Sequence, residues 1–548
     1  MAVKSSVGSG TGAAFSRRGF LVGGAIATFG TFALAGCSAG GASGSGAGID
    51  LGAVLPDYIP VEYVKAKYPS VDNSTPIYTE VPDEYVQSVK TPPGSGSTIN
   101  AMVPIYSAVP PGLPENNYFV ALNEALGSKV VINAVEGSSY GEKLQAVLAS
   151  PKDVADWVVV PSSTIPARFD EAVEAVFADL TPFLAGDKVK KYPNLANITT
   201  DTWKYCVYNG KLMGLPNPQE AIGSWIFYRY DVLEEVGVEP PTNGDEFKKF
   251  AKALTDESKG RWGIDDIFLG GIDNMFRVPA TWRLDGGKLV HRFETDEYRE
   301  ALLFNRDLFD AGVVHPDAVA GTGSYKTRFE AAQVATMVDS FGGWRGSMRR
   351  VAPQIPGYDQ RPAMPFAADG GDPYLPRPDA VNMTSFIKQA DDEKIEEILG
   401  LANLLAAPFG TTEYRLVNYG VEGVDWELND DGTEGSTELG TKEVVATYKF
   451  LTGPNVVDAV LSNPDVGEMT HAFMEEATKY LVEDPFWGNR IIEPARFASL
   501  EQPFEDLEAD VARGRADEDD IEAAIASWKS SGGDDLRAFY QEKLDELG

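Results

Sequence analysis

Asn209-Gly210-Lys211-Leu212-Met213-Gly214-Leu215-Pro216 is followed closely by Ser224-Trp225-Ile226-Phe227-Tyr228-Arg229-Tyr230, and then by Asp231-Val232-Leu233-Glu234-Glu235-Val236. The middle run is apolar and aromatic, the composition of a buried strand. The run after it reads as a short helix that stops before Gly237-Val238-Glu239-Pro240-Pro241-Thr242. A second helix is expected over 244–254. A strand feeding directly into helices is the unit from which α/β layers are built.

The same rhythm is present upstream. Residues 99–106 are strand-like, 116–126 helical, 129–134 strand-like, 140–149 helical, and Trp157-Val158-Val159-Val160 is a short buried strand. Such alternation predicts a mostly parallel sheet with helices on its faces. Asp179-Leu180-Thr181-Pro182 opens another helix, with Thr181 as N-cap and Pro182 at the first helical position. Further helices are expected over 295–309, 325–333, 393–405, 442–450, 469–482 and 519–528. No internal repeat is found.

At the N-terminus, Ser16-Arg17-Arg18-Gly19-Phe20-Leu21 precedes an apolar run that ends in Leu34-Ala35-Gly36-Cys37. Arg17 and Arg18 before an apolar segment read as a Tat export signal. The small-residue tripeptide ending in Cys37 is similar to a bacterial lipobox, which makes Cys37 the expected lipidation site. The run from Gly19 to Leu34 is too short and too rich in Gly and Ala to span a bilayer, which needs roughly 20 apolar residues. The competing reading is an uncleaved signal anchor. After cleavage, Ser38–Gly48 is a Gly/Ala/Ser tether, and residues 49–96 are an extended Pro- and Tyr-rich segment.

The 548 residues carry 47 basic and 82 acidic side chains, a formal charge of −35. No acid falls within residues 1–36, so the chain from Cys37 onward has 44 bases against 82 acids, or −38. Nucleic acid is excluded as a partner, because phosphate binding needs a basic footprint. Anionic lipid is equally unfavourable, so a covalent lipid must hold the protein at a membrane. With Cys37 lipidated, Cys206 has no disulfide partner; it lies in Trp203-Lys204-Tyr205-Cys206-Val207-Tyr208 and reads as a buried structural residue.

The segment from Asn209 to Phe247 resembles the family 1 extracellular solute-binding proteins, the lipid-anchored receptors of carbohydrate ABC importers. The matching words are Gly210–Pro216, Phe227–Leu233 and Val236–Thr242. Phe329–Met337 followed by Gly342-Gly343-Trp344 resembles the family's later strand and ligand-facing aromatic. Asn418–Trp426 and Trp528–Asp534 are similar to the large oligosaccharide-binding branch, the group of the alginate-oligosaccharide receptors. The resemblance spans roughly 98–548. It implies an α/β, two-lobed periplasmic-binding-protein-like fold of type II, each lobe a mostly parallel sheet flanked by helices, joined by crossover hinge strands. The implied organisation is signal peptide 1–36, lipidated tether and extended segment 37–96, lobe 1 over 97–210 and 381–440, lobe 2 over 211–380, and a helical part over 441–548 mainly on lobe 2. One departure concerns Ca²⁺. Some members of that branch carry an acidic loop where this chain reads Asp256-Glu257-Ser258-Lys259-Gly260-Arg261, and alternating oxygen ligands are missing here. No metal and no cofactor is expected.

A sugar presents apolar C–H faces and a rim of hydroxyls. Its receptor should therefore set aromatic rings beside carboxylates, amides or Arg. Four stretches do so: Tyr106 with the following Asn116-Asn117; Asn274-Met275-Phe276-Arg277 with Trp282; Gly342-Gly343-Trp344-Arg345; and Glu220 with Trp225. Trp344, after a Gly pair at a strand end, is the leading candidate. The competing reading of each aromatic is core packing. Trp157 and Trp528 read as structural, and Trp487 fits either reading. Arg277, Arg345, Arg349 and Arg350 fit bidentate pairing with a uronate, and fit equally well as surface charges that offset the acids.

The three histidines, His291, His315 and His471, lack metal-ligand spacing, and no Gly-x-Ser-x-Gly elbow, P-loop or Cys-x-x-Cys is present. With 82 acids, neighbouring carboxylates carry no glycosidase signal. The expectation is a non-enzymatic, monomeric, lipid-anchored receptor on the outer face of the cell membrane, exported by Tat. It would carry an oligosaccharide to ABC permease subunits. The alternatives are a surface-anchored glycoside hydrolase and a sugar receptor outside transport.

Overall fold

Eight strands build the two main sheets. In chain order they are β1 (Thr98–Ile105), β2 (Lys129–Glu136), β3 (Trp157–Pro161), β4 (Leu215–Pro218), β5 (Ser224–Arg229), β6 (Thr336–Ser340), β7 (Gln360–Pro362) and β8 (Val381–Ile387). This computed structural model describes residues 51–547 except 72–73, 167–168, 353, 431–432 and 462–463. Arg17, Arg18, Cys37 and most of the tether lie outside the described residues.

The first sheet has the order β2-β1-β3-β8-β4. β1 is parallel to β2 and β3, and β8 is antiparallel to β3 and β4. All five residues of β3 are buried, because apolar side chains cover both faces of the sheet. Leu122, Leu399 and Tyr448 belong to the core on one face. Tyr140, Leu144, Phe169 and Phe386 belong to the core on the other. The helices include α1 (Asn117–Leu126), α2 (Gly137–Leu148), α3 (Phe341–Arg350), α4 (Asp392–Leu405), α5 (Thr412–Tyr419) and α6 (Thr447–Leu451).

The second sheet has the order β6-β5-β7, and its ladders are antiparallel. β6 and β7 run the same way, joined through α3, and β5 is inserted between them in the opposite sense. Of the two main sheets the first carries the parallel ladders, and in the second lobe Leu375-Pro376 pair in parallel with Leu481-Val482. The second core draws on Phe227, Phe247, Phe341, Trp344, Phe473, Phe504 and Trp528. The C-terminal helices enter it through Phe293 and Phe504, stacked at 3.7 Å.

The cores change over at other places than the residue patterns indicate. Leu212 and Leu215 belong to the first core, since β4 is an edge strand of the first sheet. Val445, Tyr448 and Leu451 belong to it as well, since α6 lies over that sheet. The first core thus reaches Leu215 on one side and runs from Val445 to Leu451 on the other.

Two local expectations also fail. Thr181 does not cap its helix, Thr181–Leu184, whose N-cap is Leu180. The Asp179 carboxylate instead accepts from the Thr181 N–H, and the Thr181 hydroxyl accepts from Leu212 N–H. The helix expected over 442–450 is broken into Gly440–Glu443 and α6. Cys206 is fully buried, and burial pushes its thiol up to about 12. Residues 51–96 run over both lobes: Asp57 N–H donates to Gly186 O, and Ile77-Tyr78 pair in parallel with Asp458-Ala459.

Candidate functional site

β1, β2 and β3 are parallel, so their C-terminal ends share one edge of the first sheet, the edge at which β4 also ends. From Pro218 the chain crosses to Ser224, the first residue of β5, which is paired with Ser340 at the end of β6. The edge carrying Tyr106 and Ser162 is therefore joined by a short crossing to the edge carrying Ser224 and Ser340. Open α/β sheets bind ligands at such strand ends.

Three large apolar side chains stand exposed along these edges. Tyr106, directly after β1, is 61% exposed. Its ring lies on Gly137, where an added Cβ would come within 2.2 Å of the ring, and meets Phe450 edge-on at 6.0 Å. Leu269 and Met364 are 60% and 51% exposed. Leu269 precedes Gly270, which sits beside Ser224 and Val338 with φ +75°, and Met364 follows β7. An exposed ring held rigidly from beneath offers a flat apolar platform.

Deeper in the junction lies a charged cluster. Arg345 of α3 is shared by two acids, donating to Glu220 at 2.5 Å and contacting Asp458 at 2.6 Å. Glu220 belongs to the crossing between the sheets, and Asp458 follows the change of core after Leu451. Asp458 is fully buried. Burial pushes its carboxyl upward, Glu220 adds to the rise, and Arg345 opposes it. Arg349, one turn further along α3, is exposed, and its charge offsets part of the rise that burial gives the Tyr419 phenol of α5. Burial lowers the Lys449 ammonium, and Arg349 lowers it further. The Lys449 carbonyl is held by the Asn217 side-chain amide.

Of the residues singled out in the sequence, Tyr106, Glu220 and Arg345 stand at this junction. The others do not. Trp344 is fully buried in α3, donates from Nε1 to Gln360 O at 2.7 Å, and packs on Phe227. Trp225 is fully buried in β5, with Nε1 on Ala363 O at 2.7 Å. Trp282 is buried against His291 and Tyr540. Asn117 is engaged by the Glu443 carboxylate through both its backbone N–H and its side-chain amide. Asn274 is buried and donates to Gly270 O, which fixes the turn that presents Leu269. Phe276 packs on Phe304. Arg277, with φ +61°, makes a bidentate pair with Asp369 and holds that carboxyl at about 2. In each case a closer structural partner has taken the group.

Tyr414, Tyr419, Lys449 and Asp458 had no signal of their own: each is a single residue whose position depends on contacts between distant segments. Among the described residues no three His, Cys, Asp or Glu side chains come together as a metal site. A groove of about 540 Å³ runs between Tyr208-Asn209 and Gly488–Pro494. Its walls come from a turn and the C-terminal helix, not from the strand ends that carry Tyr106 and Ser224.

The family model for bacterial extracellular solute-binding proteins matches residues 106–408. Lipoprotein LipO of Bacillus subtilis is 24% identical over 484 residues, covering 82% of this chain and 93% of its own. The polygalacturonan/rhamnogalacturonan-binding protein YtcQ of the same organism is 24% identical over 392 residues, covering 66% and 76%. Among solved structures, the alginate-binding protein AlgQ2 superposes with a TM-score of 0.59 at 15% identity, over 85% of this chain and 99% of its own. An HMO-binding solute-binding protein from Bifidobacterium longum infantis gives 0.61 at 15% identity, over 82% and 99%. The matched span takes in the edge residue Tyr106, the whole second sheet and β8, so the two sheets and the crossing between them have the fold of a type II periplasmic binding protein, and the chain belongs to the family of bacterial extracellular solute-binding proteins.

Proposed function

We propose that this protein captures an oligosaccharide between its two lobes and hands it to an ABC importer, tethered to the outer face of the cell membrane through Cys37 after export by Tat. In this reading residues 97–218 with 381–452 form the first lobe, and 219–380 with 453–548 the second. The observation that carries the proposal is the Tyr106 ring: rigidly seated on Gly137, yet largely open to solvent at the edge where the lobes meet. Such a ring in a solute-binding protein is suited to the apolar face of a pyranose. The names of the relatives point the same way, since one is called a lipoprotein and another a polygalacturonan/rhamnogalacturonan-binding protein.

Ligand bridging both lobes stabilises the closed form by its differential affinity, so closure is a population shift. Thermal unfolding against a panel of oligosaccharides tests this. A true ligand at one hundred times its Kd adds about 2.7 kcal/mol to stability. A panel in which no sugar raises the melting temperature, while a peptide or a metal ion does, would overturn the reading. Intact recovery of the bound sugar separates a receptor from a hydrolase.

A further inference from the structure

The chain passes between its two cores three times: between Leu215 and Ile222, between Leu375 and Met383, and between Leu451 and Val460. The segment that precedes β1 adds two further passages. Leu51, Val54, Leu55 and Ile59 pack on the first core. Gly186 N–H donates to Leu55 O at 2.9 Å, Ile59 N–H to Ala196 O at 2.7 Å, and Val61 N–H to the Asn197 side chain at 2.8 Å. The segment then leaves that core. Tyr68 packs on the second core and stacks on His471 at 4.5 Å, and Ile77 is buried within it. By Val86 the segment has returned. Val86 N–H donates to Gly410 O at 3.0 Å, Ser88 and Val89 N–H donate to the Glu413 carboxylate, and Val89 packs on the first core.

The strand at the centre of this path, Ile77-Tyr78, touches both sides at once. Successive side chains of a strand point to opposite faces. Ile77 enters the second core, while the Tyr78 ring lies 4.3 Å from that of Phe409, between α4 and α5. The strand is also bonded in parallel to the third passage: Asp458 N–H donates to Pro76 O and Val460 N–H to Tyr78 O, each at 2.9 Å. Asp458 is the acid that contacts Arg345 at 2.6 Å. A cavity of about 280 Å³ is walled by Ser70 and Pro76 of the segment together with Gln219, Pro378 and Asn455, one residue from each of the three passages. Rotating one lobe against the other must give up the seat of Ile77, the Tyr78–Phe409 contact or the ladder to Asp458-Ala459. Contacts made in one arrangement alone favour that arrangement by their free energy. In the arrangement they hold, Tyr106 is 61% exposed.

We propose that the segment from Leu55 to Val89 is a strap across the hinge, and that Ile77-Tyr78 pins the lobes in the open arrangement until bound ligand overcomes it. The strap rests on the lobe closure proposed above and is independent of which solute is bound. Spin labels at Lys143→Cys on α2 and Lys288→Cys on the hairpin of 282–285 with 288–291 report the separation of the lobes by pulsed electron resonance; both positions are exposed, and Cys206 is fully buried. Without ligand the parent should give one narrow distance. Tyr78→Ala removes the contact on Phe409, and Tyr68→Ala that on His471. Each should widen the distance distribution about twofold or more while the protein stays folded. Tyr68 is only partly buried, so its variant decides the matter if Tyr78→Ala does not fold. Variants that lower the melting temperature yet keep the parent's distance would reduce the segment to packing, overturning the strap and leaving solute capture standing. A parent whose lobes already span many distances when empty would overturn the strap as well.

Discussion

Trp344 and Tyr106 show how two aromatic residues near strand ends come to opposite fates. Gly342-Gly343-Trp344 has the form of a loop that brings a ring to a ligand. The pair has another reason here: a Cβ on Gly343 would fall 2.4 Å from Asp339 Oδ1, and the Ser340 hydroxyl caps the Gly343 N–H at 3.0 Å. The glycines thus start a helix, and Trp344, on its inner face, packs into the second core. No reading of the local sequence separates these outcomes, because what decides them is the position of Asp339 and Gln360. Trp344→Ala should cost about 3–5 kcal/mol by leaving a ring-sized cavity, with ligand affinity per folded molecule retained. Tyr106→Ala should do the reverse: stability changed by less than about 1 kcal/mol, and affinity lowered about tenfold. Denaturant unfolding and titration on both variants check the pair. A Tyr106 variant that binds normally would remove the ring from the site.

At the scale of elements, legibility followed burial on both faces. β3 and the last five residues of β1, Ala101–Ile105, are continuous apolar runs because they are buried on both faces. α3 is the opposite case: three glycines and three arginines in ten residues conceal its apolar stripe. The break at 443–447 was equally hidden, since it follows from Glu443 being engaged by the N-terminus of α1, more than 300 residues earlier. Glu397 of α4 is a further long-range tie. It accepts from Ser95 N–H and Oγ, from Ser97 Oγ and from Ser128 Oγ, clasping the lead into β1 and the turn before β2 onto one helix. Burial alone would raise this carboxyl, but the serine donors outweigh it and hold it at about 2. A depressed folded pKa means stability that is present above the ordinary value of 4.5 and lost as pH falls toward 2. Glu397→Gln should cost about 1–2 kcal/mol at neutral pH, at the low end because water reaches the clasp. It should also flatten the decline of melting temperature in that acid window. A variant that keeps the full acid slope would assign the slope to other carboxylates.

For the whole molecule, two α/β lobes were legible because short words recur in a fixed order, but the residues at their junction were not. Glu220, Arg345 and Asp458 are separated by more than 100 residues each, and only the crossing of the chain between lobes brings them together. That cluster holds two acids and one base, with Asp458 fully buried, so a proton is favoured on one acid. Asp458 has the higher affinity for it: it is fully buried, whereas Glu220 keeps a direct bond to Arg345. Its carboxyl is pushed from 3.8 to about 7. A raised folded pKa reverses the sign found for Glu397: the folded form binds the extra proton, so this contribution is present below 3.8 and lost as pH rises through about 7. Arg345, Tyr414 and Tyr78 keep their charge states through that interval, since burial raises both phenols and the neighbouring acids raise the guanidinium. Asp458→Asn removes the buried charge while leaving Arg345 paired with Glu220. The variant should therefore show a flatter melting temperature between about pH 4 and 7, the window between the two pKa values, and at about pH 8 should be at least as stable as the parent. Because the cluster includes Glu220 of the crossing between the sheets, closure as proposed would carry this pH dependence into ligand affinity, and the variant should lose it. Parallel slopes for parent and variant, in melting and in binding, would show that Asp458 is ionised throughout and that Arg345 compensates both acids.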